Sequence, residues 1–292
     1  MFFKRIFFPL FILELILLLV CSLFYYLIIS SWNINPPEWL AWVIPVITSI
    51  AAVLLIRKPL FERFYSDISE INYAPLIVCL IILPVLTAIL FPPLSKSIRY
   101  NFGSVIRLNS VNQVKPHKSS IFLELDDWYV DRLQVIPLRT ISEPNIFSFG
   151  KYKVSILFIV PIFASADPYR SHAKAWLAFD YHKVFSREEL NNHLDDEFAN
   201  NTLIHFKRMD VRAFKYLEAF PRGQEYNVLI QMAQAHSYFK SGFSTVYKGQ
   251  DVDRDLLAIH SLQYFLFLQV IFGIPMLLLA AGLLTYFRPI QY

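Results

Sequence analysis

Histidines are the first residues that could do chemistry, because all seven of them fall in the long polar stretch in the middle of this 292-residue chain. His172 and His182 flank Asp180, and Glu189 stands four residues before His193. Zinc sites use paired cysteines or two histidines spaced one helical turn apart, and neither spacing occurs here. We therefore predict no metal site and no bound cofactor.

A second candidate is the segment DVDRDLL, in which Asp251, Asp253 and Asp255 alternate as the first ligands of a calcium-binding EF-hand loop do. Such a loop needs glycine at its sixth position and glutamate at its twelfth, and these positions are Leu256 and Leu262. The motif therefore fails. Negative charge is favourable at a helix N-terminus, so we expect these acids to mark the start of a helix.

Catalytic residues are not predicted. The chain has no Gly-x-Ser-x-Gly nucleophile motif and no phosphate-binding glycine loop, and only 7 glycines in total. Asp126 and Asp127 are adjacent, but consecutive residues of a strand point to opposite faces of the sheet. Two carboxylates that share acid–base work must act on one reacting group, so we predict that the protein is not an enzyme.

Glu14 is the remaining candidate, because it interrupts the apolar run FILELILLLV. A carboxylate within a bilayer is costly and faces other helices or water, so we expect a protonated group that is hydrogen-bonded. At ~1.5 Å per residue, Glu14 lies roughly 12 Å from the inner end of its segment, Thr48 about 16 Å, and Thr87 and Gln269 about 19–20 Å. Thr48 is thus the best-matched partner. Gln269, Thr87 and a partner subunit are the alternatives.

Four apolar segments can position these residues, since about 20 residues are needed to span a bilayer. They cover approximately residues 6–29, 39–56, 74–95 and 262–287. The first is longer than the apolar core of a signal peptide, and no small-residue cleavage site follows it. The sequence therefore predicts an integral membrane protein with four transmembrane α-helices, three before and one after a single domain.

Orientation follows from lysine and arginine, which mark cytoplasmic loops. Basic residues stand at both ends and in the second loop, at Lys4, Arg5, Arg57, Lys58, Arg63 and Arg288. The first loop, 30–38, has none, whereas Lys96 and Arg99 after the third segment are exceptions. We predict a multi-pass protein of the cell inner (plasma) membrane with both termini cytoplasmic.

The predicted organisation is a membrane region at 1–96, an extracytoplasmic α+β domain at 97–261, and the fourth helix with a short tail at 262–292. Alternating or continuous apolar residues predict three strands, in SSIFLELDD, YKVSILFIVPIFA and AKAWLAFDYHKVF, and the last two strands form a hairpin. We expect an antiparallel sheet of three to five strands packed against helices.

Two helices follow these strands. Ser186 opens a capping box, so a helix is predicted from there to about Asn200. Asp210 is expected to cap a second, short helix that carries Phe214 and Leu217 on one face. The stretch QEYNVLIQMAQAHSYF has a helical composition, although YNVLI fits a strand equally well.

The net charge of +4 and the absence of a concentrated basic run exclude nucleic acid as the expected partner. We predict a non-enzymatic inner-membrane protein that presents its domain for protein–protein interaction, as an envelope-complex accessory subunit or a toxin-immunity-type protein. Its partners would be the lipid bilayer and a protein outside the cytoplasm, and an oligomer is compatible. The alternatives are a channel or transporter component, or a sensor acting through a separate cytoplasmic partner.

Overall fold

The computed structural model describes residues 3–32, 35–56, 74–114, 120–132, 135–144, 150–165, 172–240 and 245–286. The chain divides into two compact units. The helical unit comprises Met1–Trp32, Pro36–Gly103 and Arg254–Tyr292, and the sheet unit comprises Asn33–Asn35 and Ser104–Asp253.

In chain order, the helices are α1 (Phe8–Trp32), α2 (Leu40–Leu55), α3 (Ala74–Phe102), α4 (Arg187–Asn191), α5 (Leu194–Arg208), α6 (Gln224–Gln234), α7 (Arg254–Leu268) and α8 (Ile274–Tyr286). The strands are β1 (Val105–Ser110), β2 (Phe122–Asp127), β3 (Tyr129–Val130), β4 (Ile136–Ser142), β5 (Tyr152–Phe163), β6 (Ala175–Phe185), β7 (Tyr216–Ala219) and β8 (Val246–Gln250).

Three helices among the described residues are long and apolar enough to cross a membrane, namely Phe8–Ser31, Leu76–Phe102 and Arg254–Tyr286. Helix α2 is equally apolar but has only 16 residues. Its rise of ~24 Å is shorter than a hydrocarbon core of about 30 Å. Three of the four predicted segments therefore form long apolar helices, and the fourth forms the shorter α2. The predicted loop after α2, 57–73, lies outside the described residues.

Helix α3 is the centre of the helical unit, because it contacts α1, α2, α7 and α8. It continues to Phe102, beyond the predicted end at residue 95, although Pro92 and Pro93 interrupt its donors. The hydroxyl of Ser95 donates to the carbonyl of Pro92 at 2.8 Å. Side chains that bond to carbonyls in this way allow prolines within apolar helices.

The last apolar helix begins at Arg254, eight residues before the predicted start, and is interrupted by one π-helical turn at Gln269–Gly273. The N–H of Ile274 donates to the carbonyl of Gln269, five residues earlier. Pro275 has no N–H, so the ordinary ladder cannot continue there. The wider turn lies directly before this proline.

The sheet unit contains an eight-stranded mixed sheet in the order β1-β2-β7-β8-β6-β5-β3, with β4 also paired to β5. The pairs β1–β2 and β6–β8 are parallel. The predicted antiparallel sheet of three to five strands is therefore wrong in number and in direction. Strands as short as β3 and β7 show no periodicity, and parallel pairs join segments whose separation in sequence hides the pairing.

Both faces of the sheet are covered. On β6, the predicted face of Ala175, Leu177, Phe179 and Tyr181 packs with Phe206 of α5. The opposite face buries Trp176 and Ala178 against Leu229 and Ala233 of α6. Strands β5 and β6 pair antiparallel along their whole length, as predicted for a hairpin, and the connecting residues 166–171 lie outside the described ones. The segment QEYNVLIQMAQ forms helix α6.

The predicted capping box is confirmed. The N–H of Ser186 donates to Glu189 Oε2 at 2.7 Å, and the N–H of Glu189 donates to Ser186 Oγ at 3.2 Å. The predicted single helix to Asn200 is nevertheless two helices. His193 adopts a left-handed conformation, with φ of 58°, and separates α4 from α5. Histidine and asparagine accept this conformation more readily than most residues.

The predicted short helix after Asp210 is wrong beyond its first turn. Asp210 accepts a hydrogen bond from the N–H of Arg212, but the 3₁₀ turn that it caps spans only Val211–Ala213. Leu217, expected on a helix face, lies in strand β7. Pairing with β2 on one side and β8 on the other overrides the local helical pattern.

Candidate functional site

Glu14 and Gln269 form a buried polar pair between the first and last apolar helices. The Nε2 atom of Gln269 donates to Oε2 of Glu14 at 3.0 Å. Glu14 is 0% exposed and Gln269 is 8% exposed. The remaining carboxyl oxygen of Glu14 and the amide oxygen of Gln269, Oε1 in both cases, have no hydrogen-bond partner among the described residues. The pair therefore joins two helices and still leaves two acceptor atoms unused.

The π-helical turn and Gly273 create the space for the Gln269 side chain. A Cβ atom added at Gly273 would lie 2.7 Å from both Cδ and Oε1 of Gln269. A residue with a Cβ atom at this position would therefore require the end of the Gln269 side chain to shift. A π-turn within an α-helix is uncommon and is found frequently at functional sites.

Thr48, the best-matched partner by depth, lies elsewhere. Its hydroxyl is 2.9 Å from the Sγ atom of Cys21 and donates to the carbonyl of Ile44 at 2.7 Å. Depth along a span gives no information on the direction in which a side chain points around its helix. The structure therefore brings Glu14 together with Gln269 and places Thr48 beside Cys21, about two turns further along α1.

Two further polar contacts join the helices of this unit. Cys21 and Thr48 connect α1 with α2, and the hydroxyls of Ser49 and Thr87 connect α2 with α3 at 2.8 Å. Hydrogen bonds between apolar helices contribute about 0.6 kcal/mol each on average. Together with Glu14, these contacts join neighbouring helices rather than line one continuous path.

The second candidate site is strand β4 at the edge of the sheet. Within the described part of the chain, β4 pairs with β5 alone. The side chains from Arg139 to Ser142 are all exposed, and Ile141 is 48% exposed. An edge strand with an exposed apolar side chain is a position where another extended chain can add to a sheet.

Two prolines show which backbone groups of β4 face away from the sheet. The carbonyl of Pro161 accepts the N–H of Asp131 at 3.4 Å, so the backbone of residue 161 faces β3 and β4. Successive residues of a strand face opposite neighbours, so the backbone of Phe158 faces β6. Pro137 is paired with Phe158. Its nitrogen, which carries no hydrogen, therefore faces outward, as edge prolines do.

By the same alternation, Arg139 and Ile141 direct their N–H and C=O groups outward, together with the C=O of Pro137. This edge offers two donors and three acceptors in a row. Such a row is the template for β-strand addition, in which backbone hydrogen bonds provide affinity and alternate side chains provide specificity.

Arg139 ties this edge strand to helix α5. Its guanidinium group contacts the carboxylate of Asp195, which is buried, and lies 2.5 Å from Oδ1 of Asp196, which is exposed. The hydrogen bond from Arg139 lowers the pKa of the Asp196 carboxyl, and the positive charge of Arg139 adds to the effect. Both acids lie in the first turn of α5, where negative charge is favourable.

The histidines and acids that were considered as metal ligands do not converge. His182 Nδ1 is 3.9 Å from Asp180 Oδ2, and Glu189 belongs to the capping box of α4. His193 lies beyond the end of α4 and 3.4 Å from Asp196. No group of three His, Cys, Asp or Glu side chains in the described ranges could hold a metal ion.

The acids of DVDRDLL also have separate surroundings. Asp253 binds Lys215 through an ion pair of 2.6 Å, and Asp255 lies in the first turn of α7.

Two parts of the candidate sites, Gly273 and strand β4, are not among the predicted site residues. A glycine four residues after a polar side chain in an apolar segment is the signal for the first. The edge position of IPLRTIS has no comparable signal, because edge strands are defined by their neighbours.

No protein-family model, no curated protein and no solved structure matches this chain.

Proposed function

We propose that this protein is a non-enzymatic membrane protein whose sheet unit binds an extended segment of another protein along strand β4. The observation that carries the proposal is the outward-facing row of backbone groups on β4 beside the exposed Ile141. Each backbone hydrogen bond of a docked strand contributes about 0.5–1.5 kcal/mol. Arg139 holds this strand in place, because its side chain contacts Asp195 and Asp196 of α5.

The proposed membrane arrangement has four spans, with the shorter α2 as the second. Both termini lie in the cytoplasm of a plasma-membrane protein, and the sheet unit lies outside. The proposed partner is a protein on the extracytoplasmic side, such as a member of an envelope complex or a membrane-directed toxin.

A photoreactive amino acid at Thr140 tests the proposal in native membranes, because this side chain is exposed on β4. The chain is compared with its Ile141→Pro and Ile141→Ala variants. Proline at an outward position removes one donor from the edge and leaves the β4–β5 pairing intact. We expect a specific protein adduct in the parent chain and the alanine variant, and its loss in the proline variant. An adduct that is insensitive to Ile141→Pro, or no protein adduct at all, would overturn strand addition.

A channel or transporter component is the alternative function. It would require polar side chains facing a common path, whereas the pairs Glu14–Gln269, Cys21–Thr48 and Ser49–Thr87 each connect two helices. A sensor with a separate cytoplasmic partner is a further alternative. Flux of ions or solutes into vesicles that contain the purified chain would favour the transporter over the binding function.

A further inference from the structure

If the Glu14 carboxyl is ionised, the pair of Glu14 and Gln269 has more hydrogen-bond acceptors than its donors can satisfy. Three oxygens and one NH₂ group meet in a buried position, and one hydrogen bond is formed. Oε1 of Glu14 and Oε1 of Gln269 have no partner within the described residues. Two unsatisfied acceptors in an apolar helix bundle are unfavourable, since no water is present there to bond with them.

One proton corrects this imbalance. We propose that Glu14 is an intramembrane proton-binding site, in which the protonated Oε1 donates to Oε1 of Gln269 while Gln269 Nε2 donates to Glu14 Oε2. The acid and the amide then form a closed ring of two hydrogen bonds. The proton comes from water, and no other group changes its charge. Both atoms that lack a partner become satisfied, one as donor and the other as acceptor.

The described residues of the helices around Glu14 favour a neutral carboxyl. Helices α1, α2 and α8 contain no lysine, arginine or histidine in their described residues. The lysine, arginine, aspartate and histidine residues of α3 and α7 lie toward the ends of these helices, at Lys96, Arg99, Arg254, Asp255 and His260, and the titratable thiols of Cys21 and Cys79 are buried. Lys4 and Arg5 stand in the helical turn Phe3–Phe7, ten and nine residues before Glu14. No ion pair with Glu14 is formed within the described part of the chain.

Gly273 belongs to the same site, because it leaves the space in which the Gln269 amide lies beside its own helix. The last apolar helix thus places a neutral amide, which can both donate and accept, against the single acid Glu14 on α1. This inference does not depend on the proposed binding at β4.

Infrared spectroscopy of the full chain in lipid nanodiscs tests the proposal at neutral pH. We expect a C=O band of a protonated carboxyl that disappears in Glu14→Gln and persists in Glu38→Gln. Glu38 is an exposed glutamate and provides the matched control. In Gln269→Leu, the band should shift toward the position of a carboxyl that lacks a hydrogen bond. This second variant reports on the pair even if Glu14→Gln does not fold.

Two results would overturn the proposal. The first is a parent chain with no protonated-carboxyl band that depends on Glu14, which would mean an ionised group. The second is a band that Gln269→Leu leaves unchanged, which would mean that the proton is held without the amide.

Discussion

Arg139 on the edge strand β4 lies 2.5 Å from Asp196 on α5, so an exposed strand is tied to the helix that covers one face of the sheet. The same guanidinium group forms an ion pair with the neighbouring Asp195, which is buried. Strand β4 is paired with β5 along its whole length, and the contacts of Arg139 add a link to α5. These contacts connect the proposed binding edge to the core of the sheet unit.

Arg139→Leu should destabilise the sheet unit by about 1–3 kcal/mol, because it leaves the buried Asp195 without its cation. Part of the ion-pair energy is screened, since Arg139 is itself 35% exposed. The thermal unfolding midpoint of the purified chain in detergent measures the effect. Arg107→Leu is the control, because Arg107 is 82% exposed and its pair with Glu124 should contribute less than about 1 kcal/mol. Equal losses in both variants would contradict a special role for Arg139.

The ion pair of Arg139 with Asp196 should also make the free energy of unfolding depend on pH. Because Arg139 lowers the pKa of Asp196 in the folded state, the folded state binds this proton more weakly than the unfolded state does. The contribution is therefore present above the ordinary pKa of an aspartate, about 3.9, and is lost as pH falls through the lower folded value. Unfolding midpoints measured from neutral pH to about 3 should fall less in Asp196→Asn than in the parent chain. Parallel curves would contradict the linkage.

Gly273→Ala should destabilise the helical unit by about 1 kcal/mol, because the added methyl group displaces the Gln269 amide and breaks its hydrogen bond to Glu14. Thermal unfolding in detergent measures the loss. Gly282→Ala lies on the same last helix with open space around it, so it should be neutral or stabilising by up to about 1 kcal/mol.

A double variant separates this steric effect from a general helix effect. Adding Gln269→Ala to Gly273→Ala removes the atoms that collide, so the second substitution should then cost little. If Gly273→Ala is equally harmful in both backgrounds, another contact of Gly273 is responsible.

Gly249→Ala should destabilise the sheet unit by a similar amount, about 1–3 kcal/mol, because a Cβ atom on β8 would overlap the ring of Phe214. Denaturant unfolding followed by tryptophan fluorescence measures the effect. Gly223→Ala is the control, since nothing lies within 4 Å of its added atom. Phe214→Leu should partly rescue Gly249→Ala, and failure to do so would contradict the steric explanation.

The sequence predicts those parts of the fold whose signals are local. Alternation along β6 and the Ser186–Glu189 box depend on neighbouring residues, and both are observed as predicted. The contact of Glu14 with Gln269 could not be predicted from depth, because the π-turn at Gln269–Gly273 changes the direction of side chains around the last helix. Strand β7 could not be predicted either, since its four residues gain their conformation from β2 and β8.

Glu14 and Gln269 are separated by 255 residues, and this separation has a consequence for synthesis. At about 5–20 residues per second, a ribosome completes Gln269 roughly 13–50 s after Glu14. During this interval the Glu14 carboxyl is already synthesised, but the Gln269 amide that donates to it is not. The hydrogen bond between Glu14 and Gln269 therefore forms only after the last apolar helix has been synthesised.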